Sequence, residues 1–338
     1  MNIFLNTEIY LQCPANIKTG GCELMHQLCH TLRRRGQNAF IIYTPPDRQN
    51  PTPKEYHEYN CPWVRTIKDE PQNILIVSEV GTEYLYPLQK IRRAIWWLSV
   101  DNWYTHAWLV AEMTRKSGFN LKAPKFFWFG QDLDLLHFTQ SEYAKHYLLL
   151  NGIEEGRIAP LSDYLNHNFL ERAKNLEPTP RKPLVLYNPM KGLDFTKKLI
   201  AQAPQIQFVA IENLSREGVE NLMRKSMCYI DFGTHPGKDR LPREAAIMDL
   251  CIVTSKFGSA KFYQDVAIPD TYKFDANIEN IPNILRRIED ILQNYPTRRQ
   301  DFETYRQKIL AEQQIFEYQV DLIFQPAFGL KQPPYGTF

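Results

Sequence analysis

Residues 227–260, MCYIDFGTHPGKDRLPREAAIMDLCIVTSKFGSA, limit what this chain can fold into more than any other stretch. Residues 227–230 form a short apolar run with the composition of a strand. A loop follows with Gly233, His235, Pro236, Gly237, Lys238, Asp239 and Arg240. Pro242 then suits the first turn of a helix, where its missing N–H costs little. Arg243, Glu244, Ala245 and Ala246 continue that helix, and residues 251–254 read as a second strand before a loop of Lys256, Phe257, Gly258 and Ser259. A glycine loop feeding a helix N-terminus offers unpaired N–H groups and the positive end of the helix dipole. Lys238, Arg240 and Arg243 add three cations within six residues, so the segment is expected to hold a phosphate. If the two strands are parallel, both loops open at one sheet edge, where ligands of open α/β sheets bind.

The rest of the chain repeats the strand–loop–helix theme. Residues 3–5 and 9–11, a loop ending in Thr19, Gly20 and Gly21, a helix with Leu24, Leu28 and Leu32, and a strand over 39–43 make a βαβ unit. Arg33, Arg34, Arg35 and Gly36 close that helix in the expected way and read as a solvated helix end. Strands are expected over 73–77, 94–100, 125–129 and 158–161, and helices over 83–90 and 141–150. Glu79, Asp101, His106 and Asp132 stand just past strand ends. Residues 175–183 (NLEPTPRKP) have linker composition. A fresh alternation begins at 184–187, followed by Lys191 and Gly192, and helices over 278–294 and 297–323 end the chain. The expected division is therefore 1–174, a linker over 175–183, a second domain over 184–295, and a terminal helix and tail over 296–338.

Composition removes several alternatives. At 338 residues, two domains with separate cores are affordable. A formal net charge of +2 gives no case for bulk nucleic-acid binding. Six cysteines without a Cys-x-x-Cys pair read as reduced thiols, so a cytoplasmic setting is expected. There is no basic n-region and no apolar run of about 18 residues, so neither a signal peptide nor a membrane span is expected. The Gly-x-Ser-x-Gly, His-Glu-x-x-His and Gly-x-x-x-x-Gly-Lys-Ser/Thr patterns are missing, and no metal site is assigned.

Asp-Phe-Gly…His-Pro-Gly-Lys-Asp-Arg-x-Pro-Arg-Glu-Ala-Ala, followed by a strand and Gly-Ser-Ala, resembles the donor-nucleotide region of bacterial glycosyltransferases of the GT-B fold. That resemblance implies an α/β chain of two Rossmann-like domains facing across a cleft, with a C-terminal helix crossing back to the first. It also implies a sugar passed from a nucleotide-activated donor to a glycan or lipid-linked acceptor in surface-polysaccharide synthesis. No cofactor beyond the donor is expected, and peripheral membrane contact at the inner face stays open. Glu244 matches the glutamate that holds the nucleotide ribose, whereas position 236, where the large retaining group carries a second glutamate, is proline. Lys191 matches a lysine that approaches the donor phosphates. Lys191, His235, Gly237, Lys238, Arg240, Arg243, Glu244, Gly258 and Ser259 are thus the donor-side candidates. Gly20, Gly21 and Glu79 line the acceptor side, and Asp101, His106 and Asp231 are the candidates for base or nucleophile. The His-Pro pair also resembles transferases that use CMP-activated acidic sugars, and a GT-B-shaped protein that binds without catalysis is the third reading.

Overall fold

The computed structural model describes residues 1–116, 125–131, 134–175 and 179–327. The chain divides into two compact units, one of Met1–Asp163 with the residues from Gln314 onward, the other Tyr164–Gln313. The division falls at Asp163/Tyr164, ahead of the proline-rich stretch that composition marks as the linker. Helix formation explains the difference. Asn166 accepts from the N–H of Asn168 at 3.0 Å and starts a helix, His167–Lys174, whose Phe169 and Leu170 join the core of the second unit.

In the first unit the strands are β1 (Asn2–Ile3), β2 (Glu8–Pro14), β3 (Asn38–Thr44), β4 (Trp63–Val64), β5 (Ile74–Ser78), β6 (Arg92–Trp97), β7 (Leu136–Thr139) and β8 (Ile158–Pro160). Seven of them make a parallel sheet in the order β4-β3-β2-β5-β6-β7-β8. Continuous apolar runs such as Ile-Leu-Ile-Val in β5 are what a sheet covered on both faces requires. Helix α1 (Gly20–Arg34) follows β2, capped by Thr19 and closed by Gly36 at φ 77°. Helix α3 (Glu142–Leu150) is capped by Ser141, whose Oγ accepts from Ala144 N at 3.1 Å.

Three expectations in this unit are corrected. Residues 125–129 do not form a strand. Phe126, Phe127 and Phe129 instead plug an aromatic cluster around Trp97 and Trp103, and β7 takes the place beside β6. The expected helix over 83–90 shrinks to one 3-10 turn, Thr82–Leu85, before Pro87. The expected strand over 94–100 ends at Trp97, and Asp101 and His106 lie in α2 (Val100–Lys116), whose Val100, Trp103 and Ala107 face the core at helical spacing. Asp132 lies outside the described residues.

In the second unit, β9 (Lys182–Tyr187), β10 (Gln207–Ala210), β11 (Ser226–Asp231), β12 (Cys251–Ser255) and β13 (Lys273–Phe274) form a parallel sheet ordered β10-β9-β11-β12-β13. The remaining helices are α4 (His167–Lys174), α5 (Leu193–Gln202), α6 (Arg216–Lys225), α7 (Arg240–Ile247), α8 (Ile281–Gln293), the short α9 (Tyr295–Arg298) and α10 (Glu303–Ile323). In α8, Ile281, Ile284, Ile288 and Ile291 recur at i, i+3, i+7 and i+10 and are all buried. Each contributes about 1.5–3 kcal/mol of apolar burial. The expected single helix over 297–323 is broken by a 3-10 turn, Arg299–Phe302, and α10 then runs out of the second unit into the first. Its last turns pack Phe316 on Trp96, and β14 (Gln325–Pro326) pairs in parallel with β1. Among the described residues, no helix is long and apolar enough to cross a membrane.

Candidate functional site

Both sheets have a point where the strand order reverses, and there the loops at the carboxyl ends diverge and leave room for a ligand. In the second unit this point lies between β9 and β11. The loops that meet there carry Lys191–Gly192 and the stretch from Phe232 to Asp239.

Three glycines let those loops approach closely, two of them backbone to backbone. Gly192 has φ +61°, and a Cβ on it would stand 2.3 Å from the Phe232 carbonyl oxygen. A Cβ on Gly233 would meet the Lys191 Cβ at 2.8 Å. Gly258, at φ +50°, would place one 2.0 Å from the His235 carbonyl oxygen. Hydrogen bonds stitch the same contacts. Ser259 N donates to His235 O at 2.8 Å, Ser259 Oγ to Gly237 O at 2.7 Å, and Ser255 Oγ to Gly233 O at 2.8 Å. Gly258 and Ser259 therefore hold the motif loop in place from the neighbouring strand end.

The cations of the motif separate into two pairs. Lys238 and Arg243 have side chains only 7% and 1% exposed, and both grip Glu312 on α10 at 2.8 Å, one on each carboxylate oxygen. Arg243 also donates to the carbonyl oxygens of Lys238 and Asp239. These two cations, expected at the phosphate, instead anchor the loop to α10. Lys191 and Arg240 keep side chains 32% and 31% exposed. Lys191 Nζ lies 2.5 Å from Asp239 Oδ1, and Arg240 Nη2 lies 3.2 Å from Glu244 Oε1. The backbone start of α7 is uncapped by side chain, because Asp239 spends its carboxylate on Lys191 and His235. A helix start of this kind stands at the positive end of the helix dipole, which favours an anion.

Asp231 and His235 are turned inward. Asp231 accepts from Tyr229 Oη at 2.9 Å and from Gly233 N at 3.0 Å, so both oxygens serve the loop and not an anomeric carbon. His235 sits at φ +47° and is buried between two carboxylates. Its Nε2 is 3.6 Å from Asp231 Oδ1, and its Nδ1 is 3.2 Å from Asp239 Oδ2. One ligand atom from each of Asp231, His235 and Asp239 falls within 4.8 Å of the others, a spacing that would suit a cation. The Lys191 ammonium already lies 2.5 Å from one of those carboxylates, Asp239 Oδ1. Burial alone would lower the His235 pKa, but Asp239 and Asp231 outweigh it and raise the value above the ordinary 6.5. Asp239, half-buried, is held below its ordinary value by His235 and Lys191.

A pH effect follows. Because the folded-state value of His235 lies above the unfolded one, its contribution is complete below about pH 6.5 and fades as pH climbs through the folded value. Thermal unfolding of the second unit should therefore lose stability from neutral pH upward. His235→Asn, which tolerates the left-handed backbone, should flatten that slope. An unchanged slope in the variant would overturn the assignment.

In the first unit the reversal lies between β2 and β5. Gly20 and Gly21 open α1 at that point, and Glu79 follows β5. A Cβ on Gly21 would meet Leu98 Cδ1 at 3.3 Å. Glu79 Oε2 accepts from Leu98 N at 2.9 Å, and burial pushes its pKa up to about 7. Asp101 and His106 are drawn away from this point. Asp101 Oδ1 accepts from Tyr143 Oη at 3.3 Å, and the His106 ring packs 5.0 Å from Phe126.

Sequence reading missed Glu312 altogether. The signal was present, because the carboxylate falls on the α10 face that also carries Tyr305, Ile309 and Phe316, all buried. An acid on an apolar stripe needs a cationic partner.

Among solved structures, the chain is similar to a glycosyltransferase from Rickettsia africae, at 14% identity and a TM-score of 0.59, over 94% of this chain and 99% of that one. It is similar to sucrose-phosphate synthase from Thermosynechococcus elongatus, at 11% identity and a TM-score of 0.62, over 94% and 98%. Anabaena HepE, solved with UDP and glucose, matches at 9% identity and a TM-score of 0.60, over 94% and 99%. The fold is GT-B. No family description matches the sequence, and no curated protein matches it either. The resemblance read from residues 227–260 therefore extends as a fold over nearly the whole chain, with two Rossmann-like units.

Proposed function

We propose that this chain is a glycosyltransferase that takes its sugar from a nucleoside-diphosphate donor. The observation that carries the reading is the reversal point of the second sheet. There Lys191, Arg240 and the uncapped start of α7 converge beside loops locked by three glycines. A departing diphosphate needs fixed positive charge that costs no reorganisation when the bond breaks. Two side-chain cations and a helix dipole supply it, so the reaction needs no metal for that purpose. Glu244, 3.2 Å from Arg240, is the residue we assign to the ribose hydroxyls. The solved HepE complex makes UDP the first nucleotide to try.

The acceptor, a glycan or lipid-linked sugar of a surface polysaccharide, is assigned to the first unit's reversal point with Gly20, Gly21 and Glu79. Glu79, buried and accepting from Leu98 N, would hold the backbone beside that point in place. The CMP-sugar reading loses support because both ring nitrogens of His235 face Asp231 and Asp239. We assign the enzyme to the cytoplasm, in keeping with six cysteines that are all free thiols.

Nucleotide release from UDP-, GDP-, dTDP- and ADP-sugars tests the proposal, with thermal shift by the free nucleotides alongside. Lys191→Ala and Arg240→Ala should each lower kcat/KM by about 100-fold or more with folding intact. Turnover indifferent to both changes, or binding without turnover for every donor, would overturn it.

A further inference from the structure

Four of the six free cysteines gather around α1 as two hydrogen-bonded thiol pairs, Cys13 with Cys22 and Cys29 with Cys61. Cys13 lies near the carboxyl end of β2, and Cys22 lies in the first turn of α1. The first pair therefore spans the β2–α1 loop and the two glycines, Gly20 and Gly21, that open the helix.

The pairs differ in chemistry. Cys29 is buried in the middle of α1, and Cys61 turns its thiol to the His26 carbonyl oxygen at 3.3 Å. The hydrogen bond with Cys61 and burial both push the Cys29 thiol well up, so it keeps its proton. Burial does the same to Cys228 and Cys251 in the second unit. Cys22 goes the other way. Its sulfur accepts from the Cys13 thiol and lies 3.2 Å from Thr19 Oγ1, the hydroxyl that caps the helix by accepting from Cys22 N at 3.4 Å. Two donors at the positive end of a helix dipole favour a sulfur anion. The bond from Cys13, joined by those from Thr19, outweighs burial and lowers the Cys22 pKa to about 7. The turn around the sulfur is itself fixed. Tyr56 Oη donates to Thr19 O at 2.8 Å, and His26 Nδ1 donates to Cys22 O at 2.7 Å.

We propose that Cys22 is a peroxide-reactive thiol and Cys13 its resolving partner, the two closing into a disulfide across the β2–α1 loop. Both residues are buried, so the oxidant must be as small as hydrogen peroxide. The Cys22 thiolate attacks one peroxide oxygen. An S–O bond forms, the O–O bond breaks, and the departing hydroxide takes a proton and leaves as water. Cys13 then attacks the sulfenic sulfur as it gives up its proton. The S–S bond forms, the S–O bond breaks, and a second water leaves. The two sulfurs lose two electrons, and the peroxide gains them. The new bond ties the first turn of α1 to β2 beside Gly20 and Gly21. Its effect on turnover rests on the acceptor reading of that point, whereas the thiol chemistry does not.

Peptide mapping of the folded full chain after hydrogen peroxide and alkylation of the remaining thiols tests the pair. A disulfide joining the peptides of Cys13 and Cys22 is expected, with Cys29, Cys228 and Cys251 recovered as thiols. Cys13→Ser should leave a sulfenic acid on Cys22 that dimedone traps. Cys22→Ser should slow loss of the first thiol by about tenfold or more, since the thiols that remain hold their protons more tightly. Cys29→Ser is the control and should change neither result. Oxidation that begins at Cys29 or Cys61, or six intact thiols where free cysteine in the same tube is consumed, would overturn the proposal; wild type alone decides this, whatever the variants do to folding. In the oxidised chain, sugar transfer should fall and return with dithiothreitol, while the thermal shift given by UDP stays the same. A disulfide that forms with transfer unchanged would remove its hold on the acceptor side. A disulfide that forms in a chain with no turnover in either state would sink the transferase reading and leave the thiol pair standing.

Discussion

Glu312→Gln is expected to destabilise the second unit by about 3–5 kcal/mol, the usual result of removing one partner from a buried ion pair. The side chains of Lys238, Arg243 and Glu312 are 7%, 1% and 6% exposed, so the two cations cannot recover solvent without moving the loop that carries them. The amide keeps the shape of the carboxylate but not its charge. A loss of this size lowers the midpoint of thermal unfolding by roughly 6–20 °C for a unit of this length. Adding Lys238→Met to Glu312→Gln removes one stranded charge and should recover part of the loss. A Glu312→Gln protein within about 1 kcal/mol of wild type would show that the triad is not what holds the loop. The same variant should weaken nucleotide binding although Glu312 touches no proposed ligand, because residues 238–243 connect it to the start of α7.

Gly258→Ala should cost more than about 3 kcal/mol, for two additive reasons. Alanine at φ +50° pays about 1–2 kcal/mol for the left-handed backbone. Its Cβ would also lie 2.0 Å from His235 O and 2.3 Å from Thr234 O, both backbone atoms with little freedom to yield. Relieving the clash stretches the Ser259 N to His235 O bond, and with it the seam between the two loops. Gly36→Ala is the control, since Gly36 has φ +77° but nothing within 4 Å of its would-be Cβ. That variant should show only the backbone cost. If chemical denaturation finds the two variants equally affected, the close approach at Gly258 contributes nothing.

Much of this arrangement could be read from the sequence, and the parts that could not share one cause. Short-range signals carried far. The run Met227 to Asp231, the glycines at 192, 233 and 258, and the proline in the first turn of α7 state their structure within a few residues. The partition of the cations did not show, because Lys238 and Arg243 are claimed by a carboxylate 69 residues beyond Arg243. Lys238, Arg240 and Arg243 fall within six residues, so spacing alone cannot tell which of them anchors to α10. Residues 125–129 misled for a related reason. An aromatic run satisfies strand composition, but here the rings around Trp97 needed filling and β7 offered the better backbone partner. Asp101 and His106 were misplaced because strand and helix meet without a breaker at Leu98 to Val100.

The residues after Gln313 belong to the first unit, and this sets an order of events during synthesis. Phe316 packs on Trp96, Gln319 accepts from Ser162 N at 2.7 Å, Arg35 reaches Asp321, and Gln325–Pro326 pairs with Asn2–Ile3. All of these wait until residues 316–326 have left the ribosome. The second unit is one continuous stretch, Tyr164–Gln313, and needs nothing translated after it. At about 5–20 residues per second, the earlier-made half stays unsealed while the later-made half is completed. The nascent protein would thus finish its middle before its beginning, and a stalled message lacking the final helix turns would release a first unit with Trp96 and the β1 edge uncovered.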